Sequence, residues 1–185
     1  MSQSNDIHRF RREKYSDPSP YPEIKVVKPN LQYAEILMDD YAGVVSEFSA
    51  ISQYLYHHYF FNEIDKELGE TLQGIAIIEM MHMNMLAETI RKLGGSPVIR
   101  GSNSTYGNYW NGSYVRYGTL LCEQLKSDID IEYEAIKAYR NHISIICDGH
   151  VQAILQRIIL DEKAHISYFN RALLKFCGYT YRPIE

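Results

Sequence analysis

Two glutamates in this chain are each followed, three residues later, by a histidine. Glu79 and His82 occur in "IIEMMHM", and Glu162 and His165 occur in "LDEKAHI". Residues three apart lie on one face of an α-helix, so the side chains of each pair can point to the same spot. Both pairs lie within apolar helical patterns, where a buried carboxylate without a cation or another partner is strongly destabilising. The spacing therefore indicates either a metal site or buried Glu–His hydrogen bonds.

Further glutamates on the other helical segments favour the metal site. Carboxylate-bridged di-iron and di-manganese bundles take one more glutamate from each of two other helices. The first segment offers Glu47 in "VVSEFSAI", and the third offers Glu132 or Glu134 in "SDIDIEYEAIKAY". Glu132 shares a helix face with mainly apolar residues, whereas the face of Glu134 is more polar. We therefore choose Glu132 as the ligand from the third segment.

The candidate ligands repeat along the chain. Glu47 and Glu132 are 85 residues apart, and the two Glu-x-x-His pairs are 83 residues apart. Each half of the chain delivers a glutamate and then a Glu-x-x-His pair, which predicts a site of approximate two-fold symmetry that holds two metal ions. Carboxylate oxygens suit hard ions, and imidazole admits iron and manganese. A metal-free bundle with buried Glu–His hydrogen bonds stays as the structural alternative.

Long helices must position these residues. Apolar periodicity predicts an all-α chain with four helices, over about 31–61, 68–93, 119–146 and 151–176. Glycines end the second and fourth helices, at Gly94-Gly95 and at Gly178. Residues 1–30 hold four of the six prolines. We therefore predict three parts, which are an irregular N-terminal arm (1–30), a helical bundle (31–177) and a short C-terminal tail (178–185).

The lengths of the connections predict the topology. The links are short ("NEIDKE"), long (about 24 residues) and short ("CDGH"). Short links make antiparallel hairpins of the first two helices and of the last two. A helix of 28 residues is about 42 Å long, and 24 extended residues reach about 79 Å, so the middle link can cross the whole bundle. One long crossover between helices two and three is the ferritin-like arrangement.

Composition restricts the class of protein. Net charge is −4, so no basic field suggests nucleic acid as a partner. No apolar run is long enough for a membrane span, and no signal-peptide core follows Met1, which predicts a cytoplasmic protein without a membrane partner. Three cysteines (Cys122, Cys147, Cys177) without a C-x-x-C motif predict free thiols in a reducing compartment and exclude a Cys-ligated iron module.

The segments that carry the candidate ligands resemble the ferritin-like superfamily, with bacterioferritins most similar and rubrerythrins and manganese catalases related. "SEFSAISQYLYH", "IEMMH", "SDIDIE" and "LDEKAH" each match a bacterioferritin-type helix, and the resemblance covers about residues 40–175. It implies two iron or two manganese ions, with Glu79 and Glu162 as bridging ligands. It also implies that Tyr54 is an active-site tyrosine able to supply an electron. Asp128 would be a supporting carboxylate that fixes a ligand histidine.

The chain departs from bacterioferritins at several positions. Ile78 precedes Glu79 where bacterioferritins have an aspartate, whereas Asp161 is kept before Glu162. Only "CGYTYRPIE" follows Phe176, so the short fifth helix that helps close bacterioferritin cages is not expected. A homo-oligomer of one dimer or a few dimers is expected instead of a closed shell. Met80 occupies the position of a haem-ligating methionine, but "MMHMNM" is more typical of packing, and haem is not expected.

Three functions are consistent with these features. The leading hypothesis is a dinuclear non-haem iron or manganese redox protein that acts on H2O2 or O2 as a catalase or peroxidase. The second is a bacterioferritin-type ferroxidase and iron-binding subunit. The third is a metal-free structural bundle. Metal analysis separates the third from the other two, and iron loading separates the second from the first.

Overall fold

The structure, a computed structural model, describes residues 14–102 and 109–184, and these are almost entirely helical outside the arm, the crossover and the tail. The α-helices of this part of the chain are α1 (Leu31–Ala42), α2 (Glu47–Ile64), α3 (Lys66–Lys92), α4 (Leu121–Ile145) and α5 (Gly149–Cys177). The predicted all-α four-helix bundle with a long crossover between its second and third helices is confirmed. No helix among the described residues has the length and apolar character that spanning a membrane requires.

The bundle consists of two helical hairpins. α2 and α3 are joined through Asp65 alone, whose side chain accepts the Leu68 N–H at 2.9 Å and so caps α3. α4 and α5 are joined by a turn in which Asp148 caps α5. The crossover runs from the end of α3 to the start of α4, and its described part includes a short 3-10 helix, Gly112–Tyr114. The predicted polar break at "NEIDKE" is wrong in extent, because five of those six residues are helical.

The first bundle helix is interrupted between α1 and α2, so the predicted continuous helix over 31–61 is wrong at this point. The Gly43 N–H closes α1 by donating to Asp39 O at 3.0 Å, and a Cβ at Gly43 would lie only 2.5 Å from that oxygen. Ser46 then caps α2 by accepting the Ser49 N–H at 3.2 Å. A glycine followed three residues later by a capping serine explains the break. It makes Glu47 the first residue of α2.

The described part of the N-terminal arm lies against its own bundle. Tyr15 is buried and packs on Gly74 of α3, where a Cβ would lie 2.2 Å from the Tyr15 ring. Farther along the arm, the Val27 N–H donates to Asp148 Oδ2 at 2.7 Å. The arm is thus irregular, as its prolines suggest, but it is held at both ends by contacts with the bundle.

The expectation of three free thiols is wrong. The structure joins Cys122, at the start of α4, to Cys177, at the end of α5, in a disulfide that spans 55 residues. Cys147 is free and exposed. The sequence could not indicate this pairing, because only the antiparallel packing of α4 and α5 brings the two ends together.

Reduction of the disulfide is expected to destabilise the bundle. Closing a loop of this length restricts the unfolded chain by about 4 kcal/mol in the chain-entropy model. For a chain of this size, that corresponds to a fall in Tm of roughly 10 °C. Thermal melts with and without dithiothreitol measure the difference. The Cys122→Ser variant should melt at the lower temperature in both conditions, and equal melting temperatures for the oxidised and reduced wild type would contradict the stabilising role.

Candidate metal centre

All six predicted ligands lie together in the middle of the bundle. Glu47 starts α2, Glu79 and His82 lie on α3, Glu132 lies on α4, and Glu162 and His165 lie on α5. Each of the six is at most 3% exposed. The structure therefore brings every one of these residues into a single buried cluster, to which each of the four bundle helices contributes.

The first half of the cluster surrounds His82. Its Nδ1 atom lies 2.8 Å from Glu79 Oε2, 3.4 Å from Glu162 Oε1 and 3.6 Å from Glu47 Oε2. One ligand atom from each of these four residues lies within 4.8 Å of the others. The imidazole and the three carboxylates thus converge on one point.

The second half surrounds His165 in the same way. Its Nδ1 atom lies 3.0 Å from Glu79 Oε1, 3.1 Å from Glu162 Oε2 and 3.3 Å from Glu132 Oε1. These four residues form a second group within the same distance limit. Glu79 and Glu162 belong to both groups, and each presents one oxygen to each histidine. The two glutamates from the Glu-x-x-His pairs therefore stand between the halves, as bridging ligands would.

The electrostatics of the cluster fit bound cations. Burial, reinforced by the neighbouring carboxylates, raises the pKa of Glu47 and Glu132 well above the usual value. Burial alone would raise the pKa of Glu79, but His165 and His82 outweigh it and lower the pKa. Four carboxylates crowded at a dry site are stabilised by positive charge, and oxygen and imidazole donors suit divalent iron or manganese.

Two tyrosines connect the hairpins at this site. Tyr54 of α2 donates to Glu132 Oε1 of α4 at 2.6 Å, and Tyr139 of α4 donates to Glu47 of α2. Each tyrosine lies seven residues after one glutamate and binds the other. Burial, followed by the nearby carboxylates, raises the pKa of both phenols well above the usual range. Both tyrosines therefore stay protonated and orient the two outer carboxylates.

The sequence could have indicated Tyr139 as well as Tyr54. The 85-residue separation that relates Glu47 to Glu132 also relates Tyr54 to Tyr139. Applied to tyrosine as well as to glutamate, the same repeat identifies both members of the pair.

The role expected for Asp128 is corrected by the structure. Asp128 Oδ1 accepts a hydrogen bond from Gln53 Nε2 at 2.8 Å and lies 2.8 Å from His57 Nδ1, and Oδ2 has no hydrogen-bond partner among the described residues, so Asp128 is hydrogen-bonded to neither histidine of the cluster. Asp161 Oδ2 instead lies 2.8 Å from His82 Nε2. Asp128 lies four residues before Glu132 on α4, whereas Asp161 of α5 faces α3, and this difference decides which carboxylate reaches His82.

Two rejected candidates lie outside the cluster. Glu134 is exposed and pairs with Arg116 Nη2 at 2.6 Å. Met80, at the haem-ligand position of the resemblance, is 44% exposed on the outer side of α3. The choice between Glu132 and Glu134 from the polarity of their helix faces therefore agrees with their positions in the bundle.

Comparison with known proteins identifies the class that this bundle and cluster define. A family model for the ferritin-like domain matches residues 43–176, and the chain belongs to that family. It is 31% identical over 141 residues to a bacterioferritin of Desulfovibrio desulfuricans, which covers 73% of each chain. It is 28% identical over 171 residues to a Clostridium acetobutylicum protein named "Probable manganese catalase", which covers 83% of this chain and 75% of the relative.

Solved structures give the same class. A manganese catalase from Anabaena PCC7120 superposes with a TM-score of 0.79 over 92% of this chain and 84% of its own, at 22% identity, which supports the shared fold. The Desulfovibrio desulfuricans bacterioferritin, whose structure describes a diiron site, superposes with a TM-score of 0.65 at 30% identity, over 80% of this chain and 82% of its own. The family thus includes both manganese and iron proteins among the relatives of this chain.

Proposed function

We propose that the chain is a dinuclear manganese or iron protein that disproportionates hydrogen peroxide. The observation that carries this proposal is the sharing of Glu79 and Glu162 between the two ligand groups, with one oxygen of each directed to each histidine. Glu47 and His82 would complete one metal position, and Glu132 and His165 the other. Haem has no part in the proposal.

Two such metal ions would supply a two-electron cycle when bound. One H2O2 is oxidised to O2 with release of two protons and two electrons. A second H2O2 takes up two electrons and two protons to give two waters. The residues around it keep the site dry and oriented. Tyr54 and Tyr139 hold their protons on Oη and donate to Glu132 and Glu47. No third electron is needed, so no electron-donor module is required.

The space beside the cluster suits a very small substrate. A cavity lined by Ser46, Ala50, Tyr54 and Tyr139, together with all four ligand glutamates, leaves about 10 Å³ for the centre of a water-sized molecule. A cavity needs roughly that much room to hold one water. H2O2 and O2 are among the smallest substrates, whereas an organic substrate would require the helices to move apart.

An oxygen-electrode measurement tests the proposal. The protein loaded with Mn²⁺ or Fe²⁺ should release O2 from H2O2 without any added reductant, at about one O2 for each two H2O2 consumed. The apo-protein treated with chelator is the control. If the loaded protein releases no O2 and instead oxidises Fe²⁺ rapidly, the peroxide proposal is wrong.

The alternative is a bacterioferritin-type ferroxidase and iron-binding subunit. The identity with the Desulfovibrio desulfuricans bacterioferritin and the diiron site of that structure favour it. It requires iron to enter, become oxidised and pass to a store. Many irons per chain, together with a large hollow shell in light scattering, would support it. The peroxide proposal instead predicts a fixed metal pair in a homo-oligomer of one dimer or a few dimers.

Replacing Tyr54 distinguishes the two functions within one protein. Tyr54→Phe removes the Oη donor to Glu132 but keeps the ring packed on Phe169. Dismutation per bound metal pair should change little, since the phenol supplies no electron to a two-electron cycle. If the ferroxidase function is right, Fe²⁺ oxidation should slow markedly in stopped-flow absorbance. Tyr59→Phe, on the exposed part of α2, is the control. A complete loss of O2 release in Tyr54→Phe would mean that this variant does not distinguish dismutation from Fe²⁺ oxidation.

A further inference from the structure

Hydrogen bonds from the N-terminal arm converge on one residue of α5. The Asp17 N–H donates to Asp161 Oδ1 at 2.7 Å, and the Tyr21 hydroxyl donates to Asp161 Oδ2. Arg157 Nη1, one turn earlier on α5, forms an ion pair with Asp161 Oδ1 at 2.7 Å. Asp161 is fully buried. Its carboxylate is thus held by two groups from the arm and one from its own helix.

Arg157 also ties the arm in place. Its Nη2 donates to Asp17 O at 2.8 Å and its Nε to Ser19 O at 2.9 Å, and its guanidinium lies 3.8 Å from the centre of the Tyr21 ring. The arm, Arg157 and Asp161 therefore form one connected network. A change in the arm at Tyr21 reaches Asp161 directly.

The network ends at His82. Asp161 Oδ2 lies 2.8 Å from His82 Nε2, while Nδ1 of the same ring faces the carboxylates of the first ligand group. With a metal at Nδ1, the Nε2 proton would be donated to Asp161. A carboxylate in this position fixes the ring and raises the basicity of the ligand nitrogen.

The second histidine has no equivalent support. His165 Nε2 is buried and has no hydrogen-bond partner among the described residues. Ile78 precedes Glu79 at the position that corresponds to Asp161 before Glu162, so no carboxylate occurs there. The two ligand groups are thus alike in their own residues and different in what holds their histidines.

We propose that Tyr21 is a positioning residue of the metal centre, which acts through Asp161 on His82 and makes the metal position at His82 the tighter of the two. This inference rests on the proposed dinuclear site. It assigns the arm, which lies outside the bundle, a part in metal binding. Loss of such a supporting contact lowers metal affinity by about 10- to 100-fold.

Equilibrium binding of Mn²⁺ to the full chain tests the inference without measuring activity. Competition with a chelator should show two ions in the wild type, one bound more tightly. Tyr21→Phe should weaken the tighter ion about tenfold and leave the other unchanged, and Asp161→Asn should weaken the same ion by up to about 100-fold. Tyr168→Phe is the matched control, because its hydroxyl donates to Lys14 O of the arm and does not contact Asp161.

A double variant separates positioning from general docking of the arm. If Tyr21 acts through Asp161, adding Tyr21→Phe to Asp161→Asn should cause no further loss of affinity. The inference would be overturned, with the dinuclear site left intact, by any of three results. These are two equally bound ions in the wild type, unchanged binding in Tyr21→Phe, or equal loss of both ions in that variant. A loss in Tyr168→Phe equal to that in Tyr21→Phe would do the same. Absence of bound Mn²⁺ and Fe²⁺ from the wild type would overturn the metal centre itself.

Discussion

Glu79→Ala is expected to abolish O2 release from H2O2 and to reduce the metal content of the chain from two ions to nearly none. Glu79 is one of the two residues that belong to both ligand groups, with Oε2 at 2.8 Å from His82 Nδ1 and Oε1 at 3.0 Å from His165 Nδ1. Its removal takes one oxygen from each metal position. It also removes the negative charge that faces both imidazoles in a buried site, where charge interactions are stronger than in water.

Metal content by inductively coupled plasma mass spectrometry and O2 release by electrode measure the effect. Glu88→Ala is the matched control on the same helix, because Glu88 is exposed and pairs with Lys92 one turn later. Circular dichroism should show an intact bundle in both variants. Retention of both ions in folded Glu79→Ala would mean that Glu79 is not a ligand.

Glu132→Ala is expected to lower the metal content to one ion per chain or less, whereas Glu134→Ala should leave it near two. Glu132 belongs to the group around His165 and lies outside the group around His82, so one position loses a ligand directly. Its removal also leaves Tyr54 Oη without its carboxylate acceptor. Glu134 lies two residues away and pairs with Arg116 at the surface, where an exposed ion pair contributes about 0.2–1 kcal/mol.

The paired design makes the result specific. Both substitutions replace a glutamate by alanine on α4, so a general effect on the helix would appear in both. Equal metal loss from the two variants, or greater loss from Glu134→Ala, would refute the assignment of Glu132.

The helices and the ligand cluster could be predicted from the sequence because each depends on local spacing. Glu79 with His82 and Glu162 with His165 are three residues apart, and the helical period alone puts each pair on one face. Glu132 could be distinguished from Glu134 because the residues that share a helix face with Glu132 are mainly apolar, whereas those that share a face with Glu134 are more polar. These features require no knowledge of which helices are neighbours.

The contacts that were missed depend on packing between distant segments. The Cys122–Cys177 disulfide requires two helix ends to meet, and the Asp161–His82 contact requires α5 to face α3. Asp128 has the same chemistry as Asp161, so residue type could not show which of them reaches a ligand histidine. The break before Glu47 was missed because Val44 and Val45 continue the apolar pattern across Gly43, whereas Ser46 competes for the backbone as a helix cap.

The arm's attachment to the last helix has a consequence for the order of folding. Asp17 and Lys14 bind residues 144 and 154 positions later in the chain. Contacts of such long separation form only after the whole intervening chain is available. During synthesis, the first hairpin therefore leaves the ribosome with Glu47, Glu79 and His82 before their partners on α4 and α5 have been made. The arm must wait for α5 before it can dock, so the contacts around Asp161 form late and support His82 only after both hairpins are present.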